Sequence, residues 1–173
     1  MCSDSVRYID TAEFTRLGST LSGQAVLTGF GRFCEGLPSQ PQSNVNWSLK
    51  GWRNTGGQSF LEVSITAKPV LQCQRCLEPF EYEVDVVDQV ELVAHESDLE
   101  DENDDENALE RILGSRRFDV LSFIEDELIL SVPYVPRHDV CPGGSPLVQP
   151  EEPVVQEKRP SPFLALAQLK QNR

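Results

Sequence analysis

Three stretches of the chain alternate apolar and polar residues with period two, the pattern of strands that bury one face. Val45, Trp47 and Leu49 alternate with Asn46, Ser48 and Lys50. Leu61, Val63, Ile65 and Ala67 alternate with Glu62, Ser64, Thr66 and Lys68. Phe80, Tyr82, Val84 and Val86 alternate with Glu81, Glu83 and Asp85 in a strand expected to run on through Val90 and Leu92, with the extra apolar Val87 marking a bulge. Between the first two strands, the segment NTGGQ (Asn54 to Gln58) predicts a hairpin turn, because glycine adopts positive φ at little cost. An earlier run, AVLTGFGRFC, reads as a further strand weakened by Gly29 and Gly31. These elements predict an antiparallel meander with one buried face and one wet face.

Near residue 119 the period changes to that of a helix. In FDVLSFIEDELILSVP, Asp119 is placed to cap the first turn with its carboxylate. Val120, Leu121, Ile124 and Leu128, with Phe123 and Leu130, then recur at helical spacing, and Pro133 ends the element. A single main helix laid across the sheet makes the fold class α+β. Glu125, Asp126 and Glu127 are consecutive, so they spread around the helix and are expected on a solvated face. Residues 1–141 are expected to form one domain that includes an acidic loop at about 96–110. Residues 142–173 are expected to form an extended proline-rich tail. That tail ends in a short amphipathic helix, with Ser161 and Pro162 as its start signal and Phe163 and Leu166 on its apolar face. So short a helix is not stable alone in water and has to dock, on its own sheet or on a partner.

The net charge of −13 in 173 residues is concentrated in one region. Leu77 to Glu110 holds 15 acids and no Lys or Arg, which leaves the remainder slightly positive. Such a block is a solvated loop, or a lure for a basic partner such as a ribosomal protein. The first residues carry no apolar run of signal-peptide type, and no stretch reaches the length of a membrane span. A cytoplasmic location with no membrane partner is therefore expected, and the five scattered cysteines suit reduced thiols.

The chemistry lies in the cysteines. Cys73 and Cys76 form a C-x-x-C pair between two predicted strands, where a hairpin tip can aim both sulfurs at one ion. His138 and Cys141, also three apart, can complete a tetrahedral zinc set of Cys73, Cys76, His138 and Cys141. A hairpin turn without metal and a redox dithiol are the competing readings. The redox reading is disfavoured, because a strand follows the pair where thioredoxin-type pairs open a helix, and because nearby carboxylates are expected to raise the thiol pKa. No glycine-rich phosphate loop, G-x-S-x-G or H-E-x-x-H motif is present, so a non-enzymatic role is expected. The candidate partner contacts are Arg75 at the hairpin tip, Glu125, Asp126 and Glu127 on the helix, and Phe163 and Leu166 near the end of the chain. Direct RNA contact would draw on Arg75, Arg116, Arg117, Arg137, Lys158 and Arg159.

The order CQRCLEPF, alternating strand, acidic loop, FDVLSFIEDELILSVPYVPRH and PSPFLALAQLK resembles the bacterial YceD proteins, the large ribosomal RNA subunit accumulation proteins, over about Leu61 to Lys170. The resemblance implies a cytoplasmic, non-enzymatic ribosome-biogenesis factor that supports synthesis, processing or stability of 23S ribosomal RNA. Its implied partners are a basic large-subunit ribosomal protein, precursor 23S rRNA, or both. Many relatives carry several cysteines after the helix, whereas this chain has Cys141 alone with His138 nearby. Two other function classes remain beside this one: a metal-dependent RNA-processing nuclease, which the clustered carboxylates would serve, and an interaction adaptor unrelated to the ribosome.

Overall fold

The computed structural model describes residues 7–99 and 109–142. Its elements in chain order are β1 (Tyr8–Ile9), α1 (Thr11–Arg16), β2 (Thr20–Val26), α2 (Gly31–Cys34), β3 (Asn44–Arg53), β4 (Ser59–Ala67), β5 (Val70–Gln72), β6 (Pro79–Glu81), β7 (Val84–Val93), β8 (Glu110–Leu113), β9 (Phe118–Asp119) and α3 (Val120–Ser131). The main sheet has five strands in the order β2-β3-β4-β7-β8, and β1-β9 and β5-β6 form two small sheets. The α+β class and the largely antiparallel sheet packed by a helix are as the sequence predicts. The exception to antiparallel pairing is β8, which lies parallel to β7 with Val90 opposite Glu110.

The alternating residues of β3 and β4 do what their period requires. Val45, Trp47 and Leu49 on β3 and Leu61, Val63, Ile65 and Ala67 on β4 are all buried in one core with Val84 and Val90 of β7. α3 covers β4 and β7 with Val120, Phe123, Ile124 and Leu128. Full burial of a side chain such as Leu128 contributes about 2 kcal/mol through the hydrophobic effect. Asp119 caps α3 as expected, its carboxylate accepting from Ser122 N–H at 3.2 Å. Gly57, at φ +86°, closes the β3–β4 hairpin in the left-handed region that glycine tolerates. Gly51 occupies a core-facing position where a Cβ would meet Phe14 Cδ1 at 2.6 Å, so its missing side chain lets α1 seat against β3.

Four expectations are corrected. The long third strand divides in two: Phe80 lies in β6, paired with β5, while Val84 onward forms β7 on the main sheet. The ladder between β4 and β7 runs in unbroken register from Ser59↔Leu92 to Ala67↔Val84, so Val87 is an exposed residue of the outer face and not a bulge. Only the Ala25-Val26 start of AVLTGFGRFC is strand; the rest is a 3₁₀ turn at Leu27–Gly29 followed by α2, and β2 begins earlier, at Thr20. The helix stripe also shifts. Leu130 is 69% exposed, whereas Glu127, three residues after Ile124 and seven after Val120, sits on the buried face. The proline-rich tail, the terminal helix with Phe163 and Leu166, and most of the acidic loop lie outside the described residues.

Candidate metal centre

The short strands β5 and β6 hold a tip whose geometry is set by backbone bonds to carbonyl oxygen and sulfur. Cys73 N–H donates to Glu78 O at 3.0 Å, and Leu77 N–H donates to Cys73 O at 2.9 Å. Arg75 N–H points at Cys73 Sγ at 3.4 Å. Leu77, directly after the second cysteine, adopts φ +66°, a conformation that costs an L-residue about 1 kcal/mol or more. The tip is therefore folded tightly enough to impose backbone strain where the two sulfurs converge.

The chain after α3 returns to this tip. Gln74 N–H donates to Pro136 O at 2.9 Å, and Arg75 Nη2 donates to His138 O at 3.2 Å. The His138 ring packs on Phe80 with centroids 4.6 Å apart, and its Nδ1 lies 3.4 Å from Cys76 Sγ. The ligand atoms of Cys73, Cys76, His138 and Cys141 all lie within 4.8 Å of one another. A tetrahedral zinc with bonds of about 2.3 Å to sulfur has sulfur–sulfur edges of about 3.8 Å, so this cluster has the composition and nearly the spacing to hold a metal. The four residues singled out from their spacing are brought together.

Cys73 has no exposed surface. Burial pushes its thiol up, but hydrogen bonds from the backbone N–H groups of His138, Cys76 and Arg75 and from the His138 side chain bring it down to about 5. The expected upward effect of nearby carboxylates is overturned, because donors aimed at the sulfur act at shorter range than those charges. A thiolate at neutral pH is the form that binds metal. The pair sits in a β-hairpin tip, with no helix dipole to serve thioredoxin-type exchange.

The other candidates fall elsewhere. Arg75, expected to project from the tip, stays exposed but folds its guanidinium back onto His138 O. Glu125 and Asp126 both engage Arg32: Arg32 Nε donates to Glu125 Oε2 at 3.1 Å and Nη1 to Asp126 Oδ1 at 2.6 Å. Glu125 Oε1 also accepts from the backbone N–H groups of Arg32 and Phe33, which caps α2 and ties it to α3. Glu127 is 6% exposed, not solvated, and burial first, then the charges of Asp88, Glu110 and Asp126, push its carboxyl up to about 7. Sequence reasoning gave Arg32 and the strained Leu77 no part in a site, and gave Phe80 only a place in a strand. Of these, Leu77 alone had a local signal, its position after a C-x-x-C turn.

The family model described as YceD, large ribosomal RNA subunit accumulation protein YceD, matches residues 61–170. The chain belongs to the YceD family. No curated protein and no solved structure matches it. The matched span begins in β4 and takes in the sulfur hairpin, β7, β8 and α3. It therefore contains all four clustered ligands, while β1 to β3 and both short helices precede it. The YceD description ties members to accumulation of large-subunit ribosomal RNA, which belongs to ribosome biogenesis.

Proposed function

We propose that this YceD protein is a non-enzymatic, cytoplasmic ribosome-biogenesis factor that supports synthesis, processing or stability of 23S ribosomal RNA by binding a basic large-subunit protein, the precursor rRNA, or both. The observation that carries the reading is the family match across residues 61–170. Among the described residues no helix is long and apolar enough to cross a membrane.

The sulfur cluster supports a binding role over catalysis. Three cysteines and a histidine supply four protein ligands, the complement of a structural zinc, whereas hydrolytic zinc sites keep one position open for water. Cys73, Cys76, His138 and Cys141 would hold that zinc, and its part is to cross-link the hairpin to the chain that follows α3. Leu77 of the tip is 65% exposed, and Tyr134, in the chain between α3 and His138, is 99% exposed. Arg75 and Asp126 remain on the surface as partner contacts, and Phe163 and Leu166 would add an apolar anchor. The burial of Glu127 removes it from that surface, and Glu125 is occupied in capping α2. The acidic run from Leu77 to Glu110 complements a basic ribosomal protein.

A tagged pull-down from growing cells, divided into RNase-treated and untreated halves, tests this. The expected result is a large-subunit ribosomal protein that survives RNase, precursor 23S rRNA in the untreated half, or both. Recovery of neither would end the ribosomal reading.

A further inference from the structure

The net charge hides a local inversion at one end of the main sheet. A cleft of about 440 Å³ opens between the start of α1, the adjoining ends of β3, β4 and β7, and the turn from β8 to β9. Arg53 and Arg116 flank it, and Thr11, Ser59 and Ser115 line it with hydroxyls. Its one acid is Asp10, whose Oδ1 is already engaged by Ala12 N–H at 3.0 Å and Glu13 N–H at 3.2 Å.

Both guanidiniums are exposed, and among the described residues neither makes an ion pair. Arg53 Nη2 donates to the carbonyl of Ala12 at 3.2 Å, which orients the group and leaves its charge uncompensated. Arg116 follows a pinned residue. Thr11 Oγ1 donates to Ser115 O at 3.2 Å and accepts from Ser115 N–H at 3.0 Å, so the floor beneath the two arginines is held firmly. Beside Arg116, the Arg117 guanidinium lies 4.4 Å from the centre of the half-exposed Tyr8 ring. Asp119, the acid nearest in sequence, is taken by Arg7 at 3.0 Å. Three arginines that make no ion pair among the described residues, the Ser59 and Ser115 hydroxyls and a half-exposed aromatic ring form a set of anion and base contacts in a chain of net charge −13.

We propose that this cleft binds a phosphate of an RNA strand, held by Arg53 and Arg116, with Tyr8 and Arg117 contacting the adjoining nucleotide. A guanidinium offers two parallel N–H donors that match phosphate oxygens, and the Ser59 and Ser115 hydroxyls complete the set, the Thr11 proton being taken by Ser115 O. An aromatic ring backed by a cation is a stacking surface for a base. The basic and aromatic residues continue past the cleft, which suits a strand better than an isolated nucleotide. The site lies outside the sulfur hairpin and rests on the ribosomal reading for its ligand.

The test titrates the full chain, purified without chelator, into a short fluorescent oligoribonucleotide of mixed sequence at several salt concentrations. The double variant Arg53→Gln, Arg116→Gln is expected to bind about tenfold more weakly, with a log–log salt slope shallower by about 1.4, the value for two phosphate contacts on a single strand. Lys68→Gln, which removes an exposed charge just past the end of β4 opposite the cleft-lining Ser59, is expected to leave both quantities unchanged. Should the double variant melt early through loss of the bond to Ala12, Arg116→Gln alone, which has no such bond to lose, is expected to weaken binding about threefold. No RNA affinity in the unmodified chain, or equal affinity in the variants, overturns the site. Displacement of the strand by equimolar AMP overturns the assignment to RNA. The ribosomal reading fails separately, by the pull-down above. A double variant that still recovers precursor rRNA undiminished from cells would sink the cleft and leave that reading standing.

Discussion

In the layer built by β3, β4, β7 and α3, side chains such as Leu61, Val63, Ile124 and Leu128 bury apolar surface in a continuous core, and long ladders hold the backbone. In the β5–β6 hairpin the strands are three residues long, and the main buried groups are Leu71 and Cys73. A hairpin of that length is not stable by itself in water. Its described geometry is held by backbone bonds to sulfur and carbonyl oxygen within the tip and by the bonds of Gln74 and Arg75 to Pro136 O and His138 O. Where apolar area is scarce, polar geometry and cross-linking have to supply the order.

The sharpest way to separate the two regions is to test the zinc cross-link proposed above by removing it. Protein purified without chelator is expected to contain about one zinc per chain by atomic absorption, and Cys73→Ser is expected to lose it. Because structural zinc sites contribute about 10 kcal/mol or more to the order of small domains, the hairpin amides around residues 72–81 should lose hydrogen-exchange protection on chelation. The amides of β3 and β4 should keep theirs. Absence of metal, or simultaneous loss of protection in both regions, would erase the distinction.

A smaller effect probes Glu127, a carboxyl buried in the apolar layer. The Glu127 carboxyl is raised from an ordinary 4.5 to about 7, so the folded state holds more protons than the unfolded state between those values. Stability should therefore fall as pH rises from about 4.5 to 7, and the cost should be fully present above 7. Glu127→Gln, which cannot ionise, is expected to gain about 2 kcal/mol at pH 8 and almost nothing at pH 4. Denaturant melts at the two pH values check it. An equal effect at both would mean that neither burial nor the charges of Asp88, Glu110 and Asp126 raise this carboxyl.

The smallest effect concerns the hairpin turn. Leu77→Gly relieves a left-handed conformation at an exposed site and is expected to stabilise the hairpin by about 1 kcal/mol or less. Tighter competition against a zinc indicator would register the gain. Weaker zinc retention would show that the Leu77 side chain supports the tip in a way its exposure does not suggest.

The legible parts of the fold were those whose signal is local. β3 and β4 were evident because period two places every second residue on the same face, and α3 was evident from its cap, stripe and proline stop. The metal cluster was half legible: two pairs with matching spacing could be named, since ligand chemistry restricts which residues can meet. The break at Glu83 was not legible, because alternation continues in phase through Tyr82 and Val84 while the chain changes sheets. The pairing of β8 was hidden for a related reason, since nothing within four residues states which edge they will join.

By itself, then, the sequence determined β3, β4 and α3 as elements, the buried face of the two strands, two pairs of candidate ligands and the family. Tertiary structure alone decided which partners those faces meet. It buried Glu127 among three other acids, spent Glu125 on Arg32 and α2, and gathered Arg53, Arg116 and Tyr8 from distant segments at one end of the sheet. The physical reason is range. Periodicity and capping act over a few residues, whereas desolvation, charge neighbours and clefts depend on which segments the fold brings within a few ångströms.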